Sequence, residues 1–521
     1  MSRRYRAPAA SGAVLAEPGF DAIPALVEAN RKLLDRTDVM VGGLPLRELR
    51  ALARREVLAL SDPSPLAGEG QNKDAPLLLA GHQPELSHPG VWVKNFALNA
   101  LARKVGGIPL HLVVDTDTLK STALHFPVFT EGDPASVRRE SLAFDTNPGG
   151  RELAYEGRQV FDPELFGSTP DRAAPLCANW GYEPLLVNSW ATAKNIGDAF
   201  TAMRRDRERA WGCHNIELPV SRLSRTEAFV RFVWHIWNDL PRFREVYNAA
   251  VARYRKANGI RSANHPVPDL TQREQWDEVP FWSYLGSGRK RRSKPLVHDS
   301  NVSGEFIWKL EGDSYGKLPL PRDSDGFARR VLTYLEFRPR ALTLTLFARV
   351  CLGDFFIHGI GGGKYDEVTD AIIRDYFGIE PPAYQVLSAT RHLPLPGFPS
   401  TADDLTRVER RVRDLRWNPQ RHLSAEQLAK PDVEALVGAH AAIAAGEPAE
   451  RGARREWFRA LQRSAERMRP LVAGQLTGAE AEAARVRSEV DANAILQRRD
   501  YAWVLYPEET LRPFLQGFLE M

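Results

Sequence analysis

The prediction of the fold begins from residues 354–379, which read DFFIHGIGGGKYDEVTDAIIRDYFGI. The apolar run 355–360 predicts a short strand, and the glycines that follow predict a turn with unusual backbone angles. Asp366 is predicted to open a helix, which Gly378 ends. A strand, a glycine loop and a helix start together present backbone N–H groups to an anion. The rest of the chain is therefore interpreted as support for an anion site.

The glycine loop supplies the first set of candidate binding residues. They are His358, Gly359, Gly361, Gly362, Gly363, Lys364, Tyr365 and Asp366. The loop does not match a P-loop, which needs glycine at His358 and Ser or Thr at Tyr365. It does not match the dinucleotide fingerprint either, which needs glycine at Lys364 or Asp366. A tight strand-to-helix turn without a ligand is the alternative.

Two further strands are predicted to end in polar segments. The run PLLLA at 76–80 is apolar throughout, as expected of a strand buried on both faces, and GHQPELSHPG follows at 81–90. A helix is predicted at about 91–105. Residues 109–114 predict the next strand, whose polar tip is Asp115, Thr116 and Asp117. Ligands of open α/β sheets bind at the carboxyl ends of strands, so the polar segments and the glycine loop are expected to converge at one edge.

His82 and His88 are the first candidate catalytic residues. Nucleotidyltransferase-type sheets place paired histidines at this location, where imidazoles stabilise charge on a transferring phosphoryl group. Five residues separate the two histidines here, where two are usual. A structural role is the alternative for each histidine. The neighbouring residues complete the predicted binding set, which adds Gly81, Gln83, Gly90, Lys94 and Asn95.

Asp115 and Asp117 form a D-x-D pair and complete the candidate catalytic set. Carboxylates suit a divalent metal bound to phosphates, or an amine substrate, and an aspartate can act as a base. A turn held by Asx hydrogen bonds is the alternative. The sequence has no Cys and His cluster with metal-ligand spacing, so it predicts no structural metal site.

Composition argues against several classes of protein. The 521 residues include 70 Lys and Arg against 66 Asp and Glu, and the net charge of +4 does not indicate a nucleic-acid partner. Three cysteines without a CxxC pair fit a reducing, cytoplasmic compartment. The most apolar long window, 341–360, is interrupted by Arg349 and Asp354 and does not predict a membrane span. Small-molecule substrates are the expected partners.

The sequence divides into five predicted regions. They are a helical segment at 1–75, a first core part with an irregular insertion at 76–270, a basic β-like connecting element at 271–330, a second core part at 331–400, and a helical arm at 401–521.

Two of these regions carry features that could serve a partner. The connecting element has a basic loop, which either contacts phosphates or is merely solvated, formed by Arg289, Lys290, Arg291, Arg292 and Lys294. The arm has an apolar seam at 3-4-3 spacing, formed by Leu405, Val408, Val412 and Leu415. A seam this short is not stable alone. It must pack on the chain's own C-terminal helices or on a second subunit, and the second alternative would make a homodimer.

The order of these segments resembles the cysteine-adding enzyme family of bacillithiol biosynthesis. That family has a GQQ-type loop after a strand, and GHQPELSHPG stands at that place here. Its acidic, His-bearing strand tip corresponds to VVDTDTLKSTALH, with Asp115, Asp117 and, as the candidate histidine, His125. Its GGPGE-type loop and FGI segment correspond to HGIGGGKYDEVTD and to residues 377–379. A closing tyrosine-rich segment, RRDYAWVLYP, lies at 498–507.

The resemblance spans roughly residues 76–520 and has clear departures. His82 replaces the first Gln of the family loop, Lys364 stands near the place of its Pro-Gly-Glu, and the acidic tip differs. The family implies a Rossmann-like core, inserted connecting elements, a coiled-coil arm and often a dimer. Its reaction joins the carboxyl group of cysteine to the amine of glucosaminyl malate, and a divergent member would couple another acid and amine.

The expected fold class is therefore α/β, with a Rossmann-like, nucleotidyltransferase-type parallel sheet, inserted connecting elements and a C-terminal coiled-coil arm. The leading hypothesis is a carbon–nitrogen ligase or transferase that couples a small carboxylic acid, such as cysteine, to an amine, such as an amino sugar. Carboxyl activation would use ATP or another nucleotide, with or without Mg²⁺. The first alternative is a nucleotidyltransferase acting on a small molecule. The second is a non-catalytic protein that binds RNA or a protein partner through the arginine-rich arm.

Overall fold

The structure, a computed structural model, describes residues 5–63, 74–148, 153–191, 193–285, 291–300, 305–311 and 319–521. A six-stranded sheet lies at its centre. The strands are β1 Val14–Glu17, β2 Leu77–His82, β3 Ile108–Val113, β4 Ile216–Pro219, β5 Phe355–His358 and β6 Tyr384–Ala389. The chain is thus α/β, as the sequence predicts.

The strands are ordered β1-β6-β5-β2-β3-β4 across the sheet. β1 is antiparallel to β6, and the other neighbours are parallel. From β2 the chain builds β3 and β4 on one side, and it later adds β5 and β6 on the other side. The order of the strands therefore reverses between β2 and β5, where open parallel sheets leave a crevice at their carboxyl edge.

Helices cover both faces of the sheet. Leu77 and Leu79 of β2 belong to one apolar core, and Leu78 and Ala80 belong to the other, because successive side chains of a strand point to opposite faces. The prediction of a strand buried on both faces is confirmed. The helices that frame the sheet are α1 Ile23–Leu34, α2 Leu46–Leu60, α3 Pro89–Lys104 and α4 Ile360–Ile372.

The start of α4 differs from the prediction. The sequence places the helix start at Asp366, after a glycine turn, whereas α4 begins at Ile360 and already contains Gly361, Gly362 and Gly363. These three glycines do not have a positive φ. The expectation of unusual backbone angles is therefore wrong.

The insertion between β3 and β4 contains a long antiparallel hairpin of Ala123–Thr130 and Asp133–Ala143. The expectation of an irregular segment is wrong for these residues. The connecting element is rich in strands, as predicted, and Phe281–Leu285 pairs with both Arg291–Ser293 and Phe337–Pro339. Arg289 and Lys290 of the basic loop lie outside the described residues.

The remaining elements complete the described chain. The other strands are Met40–Val41, Leu44–Pro45, Gln272–Arg273, Trp276–Glu278, Pro295–Ser300, Glu305–Leu310 and Leu320–Pro321. The other α-helices before the arm are Pro163–Gly167, Thr169–Ala173, Leu186–Ser189, Ile196–Ala210, Val220–Leu223, Glu227–Asn238, Leu240–Asn258, Ser324–Tyr334 and Ala341–Leu346. Two π-helical segments are Phe347–Leu352 and Ile373–Phe377. Short 3-10 helices are Phe20–Ala22, Tyr155–Gly157, Ala174–Cys177, Pro419–His422, Arg469–Val472 and Trp503–Leu505.

The arm contains α5 Ala402–Trp417 and α6 Ala473–Leu496. Its other helices are Ala425–Leu428, Pro431–Ala445 and Arg451–Met468, and Glu508–Gln516 follows the arm. The predicted apolar seam of α5 packs against α6 of the same chain, in clusters that include Val408 with Val486 and Leu415 with Ala479. Of the two alternatives for the seam, packing within the chain is the one observed. The division of the chain into five regions stays a prediction.

None of the helices in the described ranges is both long enough and apolar enough to cross a membrane.

Candidate functional site

Three of the predicted segments lie at one edge of the sheet. β5, β2 and β3 are adjacent and parallel. Ile357 pairs with Ala80 and His82 pairs with Val113, so the segments that follow these strands leave the sheet side by side. Adjacent strands are about 4.8 Å apart. The carboxyl edge therefore brings together the loop after β2, the aspartate tip after β3 and the start of α4.

The N-terminus of α4 lies directly after β5. Its N-cap residue is Gly359, which has no side chain to accept a hydrogen bond from the helix. The first bond into the helix is donated by the Gly363 N–H to the Gly359 carbonyl, over 2.9 Å. An α-helix leaves its first N–H groups without an acceptor inside the helix, and these groups carry partial positive charge. The chain thus presents a bare helix N-terminus at the crevice between β2 and β5.

Two of the glycines in α4 permit close packing. A Cβ at Gly362 would lie 2.7 Å from Nδ1 of His358, and one at Gly363 would lie 2.3 Å from Cγ2 of Val386. A Cβ at Gly361 would meet nothing within 4 Å. Gly362 and Gly363 therefore allow the first turn of α4 to approach β5 and β6. Lys364 is exposed on the helix, and Tyr365 is half-buried against the ring of His265.

Lys94 joins the two sides of the crevice. Its ammonium donates to the Gly81 carbonyl over 3.0 Å and lies 3.9 Å from the Cβ position of Gly359. The side chain is almost fully buried, and burial lowers the pKa of Lys94 to about 8, with Glu85 acting in the opposite direction. A desolvated ammonium beside a helix N-terminus is a strongly anion-attracting combination.

The two candidate histidines follow β2 and precede α3. His82 contacts the Gln83 carbonyl through Nδ1 at 3.1 Å, and its Nε2 lies 3.7 Å from Oε1 of Glu85. Burial, aided by Lys94, lowers the pKa of His82 to about 3. His88 is the N-cap residue of α3, and burial near Arg499 lowers its pKa to about 4. Both rings are therefore neutral at pH 7, which makes them hydrogen-bonding groups instead of fixed charges.

The aspartate tip forms the acidic side of the edge. Asp117 accepts a hydrogen bond from Gln83 Nε2 over 2.8 Å, which ties the tip to the loop after β2. Asp115 accepts from the hydroxyl of Ser221 and, over 2.9 Å, from its backbone N–H. Burial raises the pKa of Asp115 to about 6, against the effect of those bonds. At pH 7 Asp115 is mostly ionised and is a stronger base than an exposed aspartate.

The connecting element reaches this acidic side. Arg292 of the predicted basic loop donates to the Thr116 carbonyl over 3.3 Å, and its Nη1 lies 3.6 Å from Asp117. Its guanidinium also lies over the ring of Trp282, 4.8 Å from the centroid. Arg292 is therefore a described member of the predicted loop that contacts the candidate site.

Asp366 is held in a buried ion-pair network behind the crevice. Its Oδ2 lies 2.7 Å from Arg349 Nη1 and 2.8 Å from His358 Nε2, and Arg349 also lies 2.8 Å from Asp370. Burial alone would raise the pKa of Asp366, but Arg349 and His358 outweigh it and keep the pKa below its usual value. Asp366 and His358 thus fix the start of α4 and are not free to face a ligand.

Two more predicted binding residues are committed to packing. A Cβ at Gly90 would lie 1.9 Å from the Ala389 carbonyl, so Gly90 allows α3 to lie close to β6. Asn95 is buried and donates to Glu208 over 2.6 Å. Gly90 and Asn95 therefore contribute to the packing of α3 and not to ligand contacts.

The sequence interpretation missed several residues of the edge. Ser221 follows β4 and holds Asp115, while Glu85 lies between the two histidines. Glu156 pairs with Arg338 over 2.9 Å, and both act electrostatically on Asp115. Glu85 lies inside the quoted loop and could have been named. The other three come from distant parts of the chain and carry no local signal.

No protein-family model matches the chain, and no curated protein matches it. Among the described residues, no group of three or more His, Cys, Asp or Glu is arranged to hold a metal ion. The chemistry of the edge therefore has to be inferred from its own geometry.

Proposed function

We propose that the chain is a carbon–nitrogen ligase or transferase that uses the carboxyl edge of its sheet. The observation that carries the proposal is the buried Lys94 ammonium beside the bare N-terminus of α4, at the edge of the sheet that also bears Asp115 and Asp117. The cationic side suits the phosphate of an activated carboxyl group or of a nucleotide. The acidic side suits an ammonium or amine substrate.

Amide formation requires both the cationic side and the acidic side of this edge. The amine nitrogen attacks the carboxyl carbon, the leaving group departs with its electron pair, and the nitrogen gives up a proton. In the proposal Lys94 and the α4 N–H groups stabilise the departing anion, and Asp115 accepts the proton. Asp117 orients the amine. The acid is a small carboxylic acid such as cysteine, and the amine is a compound such as an amino sugar.

Several broader features support the same assignment. The strand order, with its reversal between β2 and β5, is the order expected of a Rossmann-like core, which the proposal adopts. The resemblance to the bacillithiol cysteine-adding family adds the substrate class. Three buried, unpaired cysteines favour the cytoplasmic location that the proposal includes.

A nucleotidyltransferase acting on a small molecule is the second candidate. Neutral His82 lies at the end of β2 together with Lys94, whose ammonium can donate a hydrogen bond to a phosphoryl group. The RNA-binding or partner-binding alternative has less support, because many arm arginines are paired with acids of the facing helix. Examples are Arg416 with Glu480 at 2.5 Å, and Arg411 with Glu482 at 3.6 Å.

The deciding experiment incubates the purified chain with ATP, Mg²⁺, cysteine and a panel of amino sugars and detects products by mass spectrometry. An amide product, with the mass of acid plus amine minus water, is expected. Lys94→Met and Asp115→Asn should each lower its rate by about 10²-fold, as for the loss of one preorganised charged group. Lys104→Met, at the exposed end of α3, is the matched control and should leave the rate unchanged.

Two results would refute the ligase. One is a nucleotidylated amine or sugar with release of pyrophosphate, which assigns the second candidate. The other is an amide whose rate is the same in Lys94→Met and in the parent chain, because the crevice would then have no part in the reaction.

A further inference from the structure

A cationic cavity lies at the amino edge of the central sheet, opposite the candidate site. It has a volume of about 440 Å³ and lies between α1, α2 and the residues that precede β5. Its walls carry the cations Arg31, Lys32, Arg47, Arg50 and Arg54 and the acids Glu28, Asp35, Asp74 and Asp354. Leu34, Ala51 and Leu352 add apolar surface.

The arginines of α2 face this cavity because of the helix period. Leu46, Leu49, Ala53 and Val57 are buried in the core on one side of α2. Arg47, Arg50 and Arg54 follow the same period on the other side and line the cavity. Arg50 and Arg54 have side chains only 12% and 16% exposed, so these two are not a solvated helix face.

The inner part of the cavity has more positive than negative groups. Asp354 is 5% exposed and lies 2.7 Å from Arg50 Nη2 and 3.4 Å from Arg54 Nη1. The same carboxylate also accepts the Leu77 N–H over 2.7 Å, so its oxygens are shared among three donors. Arg31 brings a third guanidinium, which donates to the Asp74 carbonyl over 2.8 Å. Three guanidinium groups thus line the cavity, and two of them share one buried carboxylate.

Two further observations indicate that the single carboxylate of Asp354 does not fully compensate the two cations that share it. Burial lowers the pKa of both Arg50 and Arg54 against the opposing effect of Asp354, and repulsion from Arg31 adds a smaller lowering. Nε of Arg54 is buried without a hydrogen-bond partner among the described residues. Buried charges are normally paired, and here two guanidinium groups share one carboxylate, so an added anion would complete the pairing.

The mouth of the cavity is held by exposed ion pairs. Lys32 lies 2.6 Å from Glu28, and both side chains are more than two-thirds exposed. Arg47 pairs with Asp35, and both are more than half exposed. Exposed ion pairs contribute little to stability, because water screens them and two flexible side chains must be ordered. The mouth can therefore open, or turn its cations to a ligand, at small cost.

We propose that this cavity binds a phosphate monoester of a small molecule. Arginines bind phosphate oxygens through paired N–H groups, and three of them match a dianion. The volume and the apolar surface of Leu34, Ala51 and Leu352 exceed what a bare phosphate needs and suit a small organic group. The site is separate from the carboxyl edge, since Asp354 and Leu77 stand at the opposite ends of β5 and β2 from His358 and His82.

The test measures binding of phenyl phosphate by isothermal titration calorimetry at low salt. It uses the full chain carrying Lys94→Met, so that the carboxyl edge does not contribute. We expect one saturable site. Arg31→Gln should weaken it at least tenfold, because the lost contact between a guanidinium and a phosphate is charge-assisted. Lys32→Gln, on the exposed rim, should change the affinity less than twofold. Benzoate, which carries one charge, should bind at least tenfold more weakly than phenyl phosphate.

The outcomes separate this site from the proposed enzyme. Absence of a saturable site at 10 mM phenyl phosphate, or equal affinity in Arg31→Gln, would overturn the cavity and leave the carboxyl edge untouched. Arg31 is exposed and donates to one carbonyl, so its replacement should not unfold the chain. A melting temperature within 2 °C of the parent confirms that the variant is folded.

Discussion

The Lys94 ammonium lies 3.9 Å from the Cβ position of Gly359, the N-cap residue of α4. Lys94 comes from the helix after β2, and Gly359 follows β5, so the contact spans the point where the strand order reverses. Replacing Lys94 by Met removes the charge and keeps most of the volume. We expect the affinity for inorganic sulfate at this edge to fall at least tenfold, as measured by calorimetry in an Arg31→Gln background. Unchanged affinity would show that the helix N-terminus and Lys94 do not form an anion site.

The lowered pKa of Lys94 leads to a prediction of how the affinity for sulfate depends on pH. The pKa of Lys94 is about 8, while His82, with a pKa of about 3, stays neutral over the tested range. Sulfate keeps its charge between pH 6.5 and 9.5, so any change comes from the protein. Affinity should fall about tenfold between pH 7 and 9, as the ammonium loses its proton. An affinity that stays flat up to pH 9.5 contradicts the assignment, because an ordinary lysine titrates near 10.4.

Lys94 should also destabilise the fold at neutral pH. Its pKa falls from 10.5 to about 8 on folding, so the protonated side chain opposes folding below pH 8. The penalty is lost as the pH rises from 8 to 10.5, because the unfolded chain then loses its proton too. We expect Lys94→Met to raise the free energy of unfolding at pH 7 by roughly 1–3 kcal/mol, at 1.36 kcal/mol per pKa unit and less the lost hydrogen bond. Urea unfolding of the parent and the variant at pH 7 and at pH 10.5 measures the difference in their free energies of unfolding. This difference should nearly vanish at pH 10.5.

The glycines of α4 allow a matched comparison within one helix turn. A Cβ at Gly363 would overlap Val386, so Gly363→Ala should cost about 1–3 kcal/mol, as expected of overpacking. Gly361 faces open space, and Gly361→Ala should stabilise the chain by about 0.4–1 kcal/mol. Chemical denaturation of both variants measures the two effects. Equal effects would show that α4 is not packed against β6 as described.

Two variants of the arm test how the apolar seam of α5 is packed. Leu415 is fully buried against Val472 and Ala479, so Leu415→Ala should lower the free energy of unfolding by about 2–4 kcal/mol. Leu428 is 39% exposed, and Leu428→Ala should change it by less than about 0.5 kcal/mol. Because the seam is covered by α6 of the same chain, sedimentation should not change for either variant. Dissociation of an oligomer by Leu415→Ala would indicate that the seam packs between subunits.

Local patterns predicted the part of the fold that depends on few residues. An apolar run such as 76–80 excludes water from both of its faces, which requires a strand in the middle of a sheet, and β2 is such a strand. The polar segments after β2, β3 and β5 share an edge because parallel neighbours place their ends together. The sequence also predicted the apolar seam of α5, because residues at 3-4-3 spacing lie on one face of a helix.

The glycine run shows where local patterns fail. Three glycines in succession favour a turn on propensity alone. Tertiary packing decides otherwise, because Val386 and His358 leave no room for side chains on that face of α4. A helix with poor propensity is thus stabilised by contacts that lie outside it.

The sequence by itself determined the apolar strands, the order of the polar tips and the helical seam of the arm, because each depends on neighbours a few residues away. Only the tertiary structure decided which charges meet. Arg349 with Asp366, Glu156 with Arg338, and Arg54 with Asp354 are separated by 17, 182 and 300 residues. Such pairs depend on the packing of whole elements, and an ion pair gains or loses stability according to its burial. For that reason the position of Lys94 beside the N-terminus of α4 and the cationic cavity at the amino edge could be identified only from the folded chain.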